Sequence, residues 1–128
     1  MKTELTLEQS EKLIEFGLDA KLASCRQYAN AGKIQNGIEQ PPELKPVFCL
    51  TDILAILPKQ IKDYHLNIDI IKEGYNIGYI QWDDAAPYEA VVTRSINAYF
   101  APELIDALYQ LLIWTIDNVY INLKTNKQ

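Results

Sequence analysis

The chain has 128 residues, 48% hydrophobic and 23% charged with five glycines, the size and balance of one globular domain rather than a disordered chain. A net charge of −5 and scattered lysines weigh against DNA or RNA as a partner. No apolar run approaches the roughly 20 residues that cross a bilayer, and Met1-Lys2-Thr3-Glu4-Leu5 lacks a leader's apolar stretch, so the expected setting is cytoplasmic.

The first expected element is a helix. Thr6 is placed as its N-cap, with Gln9 completing a capping box. Leu7, Leu13, Ile14 and Phe16 form the apolar face, and Gly17 stands where a left-handed terminal residue belongs. Asp19 then caps a short turn through Ala20-Lys21-Leu22-Ala23. Residues 29–46 hold Gly32, Asn36-Gly37, Pro41-Pro42 and Pro46, and that punctuation predicts a loop with a short hairpin turning at Asn36-Gly37. A loop this long is either mobile or a contact site.

Val47-Phe48-Cys49-Leu50 leads to Thr51 as the expected cap of a short helix, with Asp52 suited to its positive end and Pro58 stopping it. A hairpin follows. Leu66, Ile68 and Ile70 alternate with polar residues, as do Tyr75, Ile77 and Tyr79. A two-residue turn at Glu73-Gly74 would set Ile70 opposite Ile77 and Ile68 opposite Tyr79 on one buried face. A third strand is expected through Tyr88–Thr93, after a turn at Asp83-Asp84-Ala85-Ala86-Pro87.

The last helix is expected to open with Pro102, carry Glu103 and Asp106 early, and bury Leu104, Ile105, Leu108, Leu111, Leu112, Thr115, Ile116 and Val119. The fold class is therefore α+β: a small antiparallel sheet covered by the C-terminal helix, with the N-terminal helix beside it, in one domain spanning 1–128.

Chemistry is harder to find. Cys25 and Cys49 match no metal-ligand spacing and are expected to be reduced, small apolar packing residues. His65, at a strand end, has no nucleophile near it in sequence and reads as a surface residue. Asp83-Asp84 is the most suggestive acidic pair, although solvated acids in turns are common. No catalytic, cofactor or metal constellation stands out, and no phosphate loop or dinucleotide fingerprint occurs; Glu73-Gly74-Tyr75-Asn76-Ile77-Gly78 lacks the strand–loop–helix context for one.

Eight tyrosines and two tryptophans can build a binding surface. Relative to Leu108, Trp114 falls about 120° to one side of the final helix and Ile113 about 140° to the other, with Tyr109 and Tyr120 on the Ile113 side. One sheet does not cover so wide an arc. Tyr109, Ile113, Trp114 and Tyr120 are therefore the candidate interface. They are covered by the N-terminal helix, by the 29–46 loop, or by a partner, most simply a second copy about a two-fold axis.

Leu7-Glu8-Gln9-Ser10-Glu11-Lys12-Leu13-Ile14-Glu15-Phe16-Gly17-Leu18, Leu50-Thr51-Asp52-Ile53-Leu54 with Leu57-Pro58, and Leu104-Ile105-Asp106-Ala107-Leu108-Tyr109-Gln110-Leu111-Leu112-Ile113-Trp114 resemble segments of small uncharacterised proteins of gut Bacteroidales. Some of those proteins are associated with phage or mobile elements. They often carry glycine where Val119 stands, so the final helix is expected to run further here. The resemblance implies a bacterial accessory protein and carries no activity onto any residue. The leading expectation is a non-enzymatic interaction protein with a protein partner or a homodimer, no nucleic acid, no membrane and no cofactor. The alternative is a small hydrolase or transferase using acids such as Asp83 and Asp84, with a divalent cation.

Overall fold

A computed structural model describes residues 1–30, 32–83 and 91–121. Helix α1 (Leu7–Glu15) begins as its capping box predicts: Thr6 Oγ1 accepts from Gln9 N–H at 3.1 Å, and Gln9 Oε1 accepts from Thr6 N–H at 3.0 Å. It ends at Gly17, whose φ of 113° lets Leu18 N–H reach back to the Leu13 carbonyl at 3.1 Å. Leu13 and Leu18 are thereby turned into the core. Asp19 caps a single 3₁₀ turn, Ala20–Leu22, by accepting from Lys21 N–H at 2.9 Å.

The expected loop over 29–46 is largely a ribbon. Strand β1 (Cys25–Ala29) pairs antiparallel with β4 (Glu43–Val47), and between them β2 (Ile34–Gln35) and β3 (Ile38–Glu39) form a small hairpin. That hairpin turns at Asn36-Gly37, as the sequence predicts, with φ of 52° and 75°, the backbone twist that matches paired strands. The prolines are accommodated because β4 pairs on one side only: Pro46 lies opposite Arg26 without needing an N–H for the ladder. Lys45 Nζ, 3.4 Å from Glu11 Oε1, ties the ribbon to α1.

Helix α2 (Leu50–Ile56) starts two residues earlier than expected. Cys49, not Thr51, is the N-cap, because the Asp52 carboxylate reaches back to Cys49 N–H at 2.9 Å. The N-terminal residues are stitched along this junction: Leu5 N–H donates to the Phe48 carbonyl at 3.0 Å and Leu50 N–H to the Thr3 carbonyl at 2.8 Å.

Strands β5 (Gln60–Ile61), β6 (Tyr64–Ile71), β7 (Gly74–Asp83) and β8 (Val91–Ala101) make an antiparallel sheet in that order. The β6–β7 register differs from the expected one. Lys72-Glu73 forms the turn, and Ile68 lies opposite Ile77, Ile70 opposite Tyr75 and Leu66 opposite Tyr79. Gly74 is needed inside the strand, because a Cβ there would meet Pro102 Cα at 2.7 Å. Since the slip is two residues, the shared face survives: Ile77 and Tyr79 are fully buried on it, whereas Ile68 and Ile70, nearer the turn, are 38% and 80% exposed. The third strand starts later and runs further than expected. Tyr88, Glu89 and Ala90 lie outside the described residues, and β8 continues to Ala101. A bulge at Asn97 (φ 47°) sets Gly78 opposite Ala98 but Tyr79 opposite Ile96.

Helix α3 (Leu104–Asp117) follows Glu103 as N-cap, so Pro102 precedes the helix rather than opening it. Ile105, Leu108, Leu111 and Leu112 are completely buried against β7, β8 and α2. Each such side chain stabilises the fold by about 1.5–3 kcal/mol relative to exposure. Leu104 is only half-buried, and Ala107 is the additional buried position, which shifts the stripe toward one side. The helix does not run on through Val119. Val119 takes a left-handed φ of 60°, Val119 N–H donates to the Ile116 carbonyl at 3.1 Å, and Tyr120 N–H donates to the Thr115 carbonyl at 2.9 Å. This is the closing pattern that usually uses glycine. Val119 is 79% exposed, outside the stripe where it was expected. The architecture is α+β, with the C-terminal helix on the sheet and the N-terminal helix beside it, as the periodicities predict.

Candidate functional site

The acidic pair expected at the end of the hairpin falls at the limit of what is described. Asp83 ends β7 opposite Val91, and Asp84 lies outside the described residues. His65 is exposed on β6, between Gln60 and Ile80 in the ladder. Among the described residues no group of three or more His, Cys, Asp or Glu is arranged to hold a metal ion.

The aromatic residues of α3 gather around the core's edge. The Trp114 ring lies 5.2 Å from Tyr120 and 6.2 Å from Tyr79, both tilted. Tyr79 is completely buried and donates its hydroxyl to the Pro58 carbonyl at 2.8 Å. Burial pushes its pKa far above the ordinary phenol range. Tyr109 sits near α1; partial burial, then the Glu8 carboxylate, raises its pKa. Tyr109, Ile113, Trp114 and Tyr120 are all half-buried and packed against the core. The Trp114 ring is thus met in part by the chain's own Tyr79 and Tyr120.

A freer apolar surface lies on the ribbon. Tyr28 and Leu44 stand directly opposite each other on its outward face, 63% and 53% exposed. At the tip, Ile34 and Ile38 are 72% and 67% exposed. Ile34 and Ile38 fall on opposite faces of that tip, so the Tyr28–Leu44 pair is the free apolar surface that shares one face.

The third grouping was not legible in the sequence. Antiparallel pairing of the ribbon brings Cys25 back beside Cys49, although they are 24 positions apart in the chain. Cys49 Sγ lies 3.1 Å from Ser24 Oγ and 3.1 Å from Thr51 Oγ1, and the Thr51 hydroxyl can donate to it while the Ser24 proton goes to Asp52. Asp52 holds this arrangement in place by accepting from Ser24 N–H at 2.9 Å, Ser24 Oγ–H at 3.0 Å and Cys49 N–H at 2.9 Å. Those bonds outweigh partial burial and keep the Asp52 carboxyl below the usual range.

The two thiols are driven apart. For Cys49, partial burial acts upward, but the Ser24 and Thr51 hydroxyls win and lower its pKa. Cys25 is pushed up to about 11, first by its hydrogen bond to the Glu4 carboxylate and then by burial and Cys49. Both cysteines are reduced and half-exposed, so the expectation of two buried packing residues does not hold. A cleft of about 240 Å³ lined by Leu22, Asp52, Ala55 and Ile56 opens beside the cluster.

No helix among the described residues is long and apolar enough to cross a membrane. Compared with family models, with curated proteins and with solved structures, the chain finds no match in any of the three.

Proposed function

We propose that the protein is a non-enzymatic interaction protein, an accessory factor of bacterial or mobile-element origin working in the cytoplasm, which docks a different protein chain on the outward face of its ribbon. The observation that carries this reading is the Tyr28–Leu44 pair, held opposite each other in the β1–β4 ladder with more than half of each side chain free. A tyrosine fixed on a strand supplies a large contact area at little entropic cost, the property that makes such residues binding anchors. The ribbon offers more free apolar surface than α3, where Trp114 and Tyr120 already meet each other.

The test is a crosslinked partner recovered from the native host, purified, and titrated against wild type and a Tyr28→Ser, Leu44→Ser double variant. The double variant should bind at least about tenfold more weakly, a loss of about 1.4 kcal/mol, with its melting temperature unchanged. Equal binding by both proteins would refute the ribbon as the docking face. Light scattering that shows a dimer broken by Trp114→Ala would instead favour a second copy on α3.

A further inference from the structure

We propose that Cys49 and Cys25 form a thiol–disulfide exchange site, in which Cys49 attacks a low-molecular-weight disulfide and Cys25 resolves the product to an intramolecular bridge. The inference uses the base of the ribbon, not its outward face, and stands apart from the docking reading. Four features of the geometry point to it. The two sulfurs are neighbours across the ribbon base. Both cysteines are accessible, and the flanking Ser24 and Thr51 are exposed. Two hydroxyls converge on one sulfur and none of the observed hydroxyl contacts falls on the other. A carboxylate, Glu4, stands at the second sulfur.

These surroundings divide the labour. The Thr51 hydroxyl donating to Cys49 favours its thiolate, the form that attacks disulfides. The Glu4 carboxylate beside Cys25 accepts that thiol's hydrogen bond and favours its protonated form. In the first step the Cys49 thiolate attacks one sulfur of the small disulfide. The reagent's S–S bond breaks, half of the reagent departs as a thiolate, and a mixed disulfide remains on Cys49. In the second step Cys25 gives up its proton to the thiolate released in the first step, and its sulfur attacks Cys49 Sγ. The mixed disulfide breaks and the second half of the reagent leaves as a thiolate, which takes up a proton. Two protein thiols are oxidised to one disulfide, and the reagent disulfide is reduced to two thiols. The bridge would clip the first residue of β1 to the cap of α2.

The full chain incubated with oxidised glutathione and analysed by intact mass tests this directly. Wild type should lose the two thiol hydrogens and carry no adduct. Cys25→Ser should retain one glutathione, on Cys49, and Cys49→Ser should react far more slowly. On the folded wild type, iodoacetamide at neutral pH should modify Cys49 about tenfold faster than Cys25, as a lowered thiol pKa requires. Thr51→Val should slow Cys49 several-fold and leave Cys25 unchanged, which a purely structural role would not do. Equal alkylation of the two thiols, or a stable glutathione adduct on wild type with no bridge, would overturn the proposal.

Discussion

Replacing Val119 with glycine should stabilise the protein, although it removes an apolar side chain. Val119 occupies the left-handed position that closes α3, with φ of 60°. An L-residue there bears about 1–2 kcal/mol of strain, with β-branched side chains at the upper end. Glycine relieves that strain, at an entropic cost of about 0.5–1 kcal/mol from the freer unfolded chain. The lost burial is small because Val119 is 79% exposed, a few tenths of a kcal/mol at about 25 cal/mol per Å². The net expectation is a gain of about 1 kcal/mol, or about 3–5 °C in melting temperature for a chain of this length. The closing bonds from Val119 and Tyr120 N–H do not involve the side chain and should persist. Thermal unfolding by circular dichroism, with urea titrations alongside, reads the effect. Val119→Ala, which removes the branching but keeps Cβ, should recover less than half of it. A Val119→Gly protein melting at or below wild type would refute the argument from strain.

Gly78→Ala should destabilise by about 2 kcal/mol or more, because the new Cβ would meet the Asn97 carbonyl oxygen at 2.6 Å and Ala98 Cα at 3.1 Å, backbone that the bulge holds in place; a urea midpoint unchanged from wild type would show that β8 gives way. Asp52→Asn should cost about 1 kcal/mol at neutral pH by weakening the three hydrogen bonds that join Ser24 to Cys49. The folded carboxyl releases its proton more readily than the unfolded one, so the associated stability is present above about pH 4 and is lost as pH falls below it. Urea midpoints measured across that window should therefore fall more steeply in wild type than in the Asn variant, and parallel curves would contradict the assignment.

The legible parts of the fold are those fixed by local chemistry. Thr6, Gln9 and Gly17 specify both ends of α1 within their own turns, and Asn36-Gly37 specifies its hairpin. The face of β6 and β7 is also legible, because alternation survives a two-residue slip; the register is not, because Gly74 is reserved by the approach of Ala101 and Pro102 from a distant strand. Prolines at 41, 42 and 46 disguise the ribbon as a loop, and the Asn97 bulge interrupts the alternation that would have extended β8. Val119 misleads for a related reason. Its side chain disfavours the left-handed turn it adopts, so the end of α3 is set by Thr115, Ile116 and the contact of Tyr120 with Trp114. The Cys25–Cys49 cluster has no spacing signature, since ribbon pairing alone assembles it.

The stitching of Lys2 to α3 has a consequence for synthesis. Lys2 donates through its N–H to Glu103 Oε2 at 3.1 Å and through Nζ to Asp106 Oδ1 at 3.0 Å, across 104 positions in the latter case. The same helix roofs Ile77 and Tyr79, which no earlier element buries alone. A nascent chain therefore completes the β6–β7 hairpin at Asp83 with its apolar face open, and 34 residues more must be made before α3 ends at Asp117. At roughly 5–20 residues per second this interval lasts about 2–7 s. Folding on the ribosome is thus a late, single closure, and rare codons before α3 would lengthen the time in which chaperones or proteases compete for the open sheet.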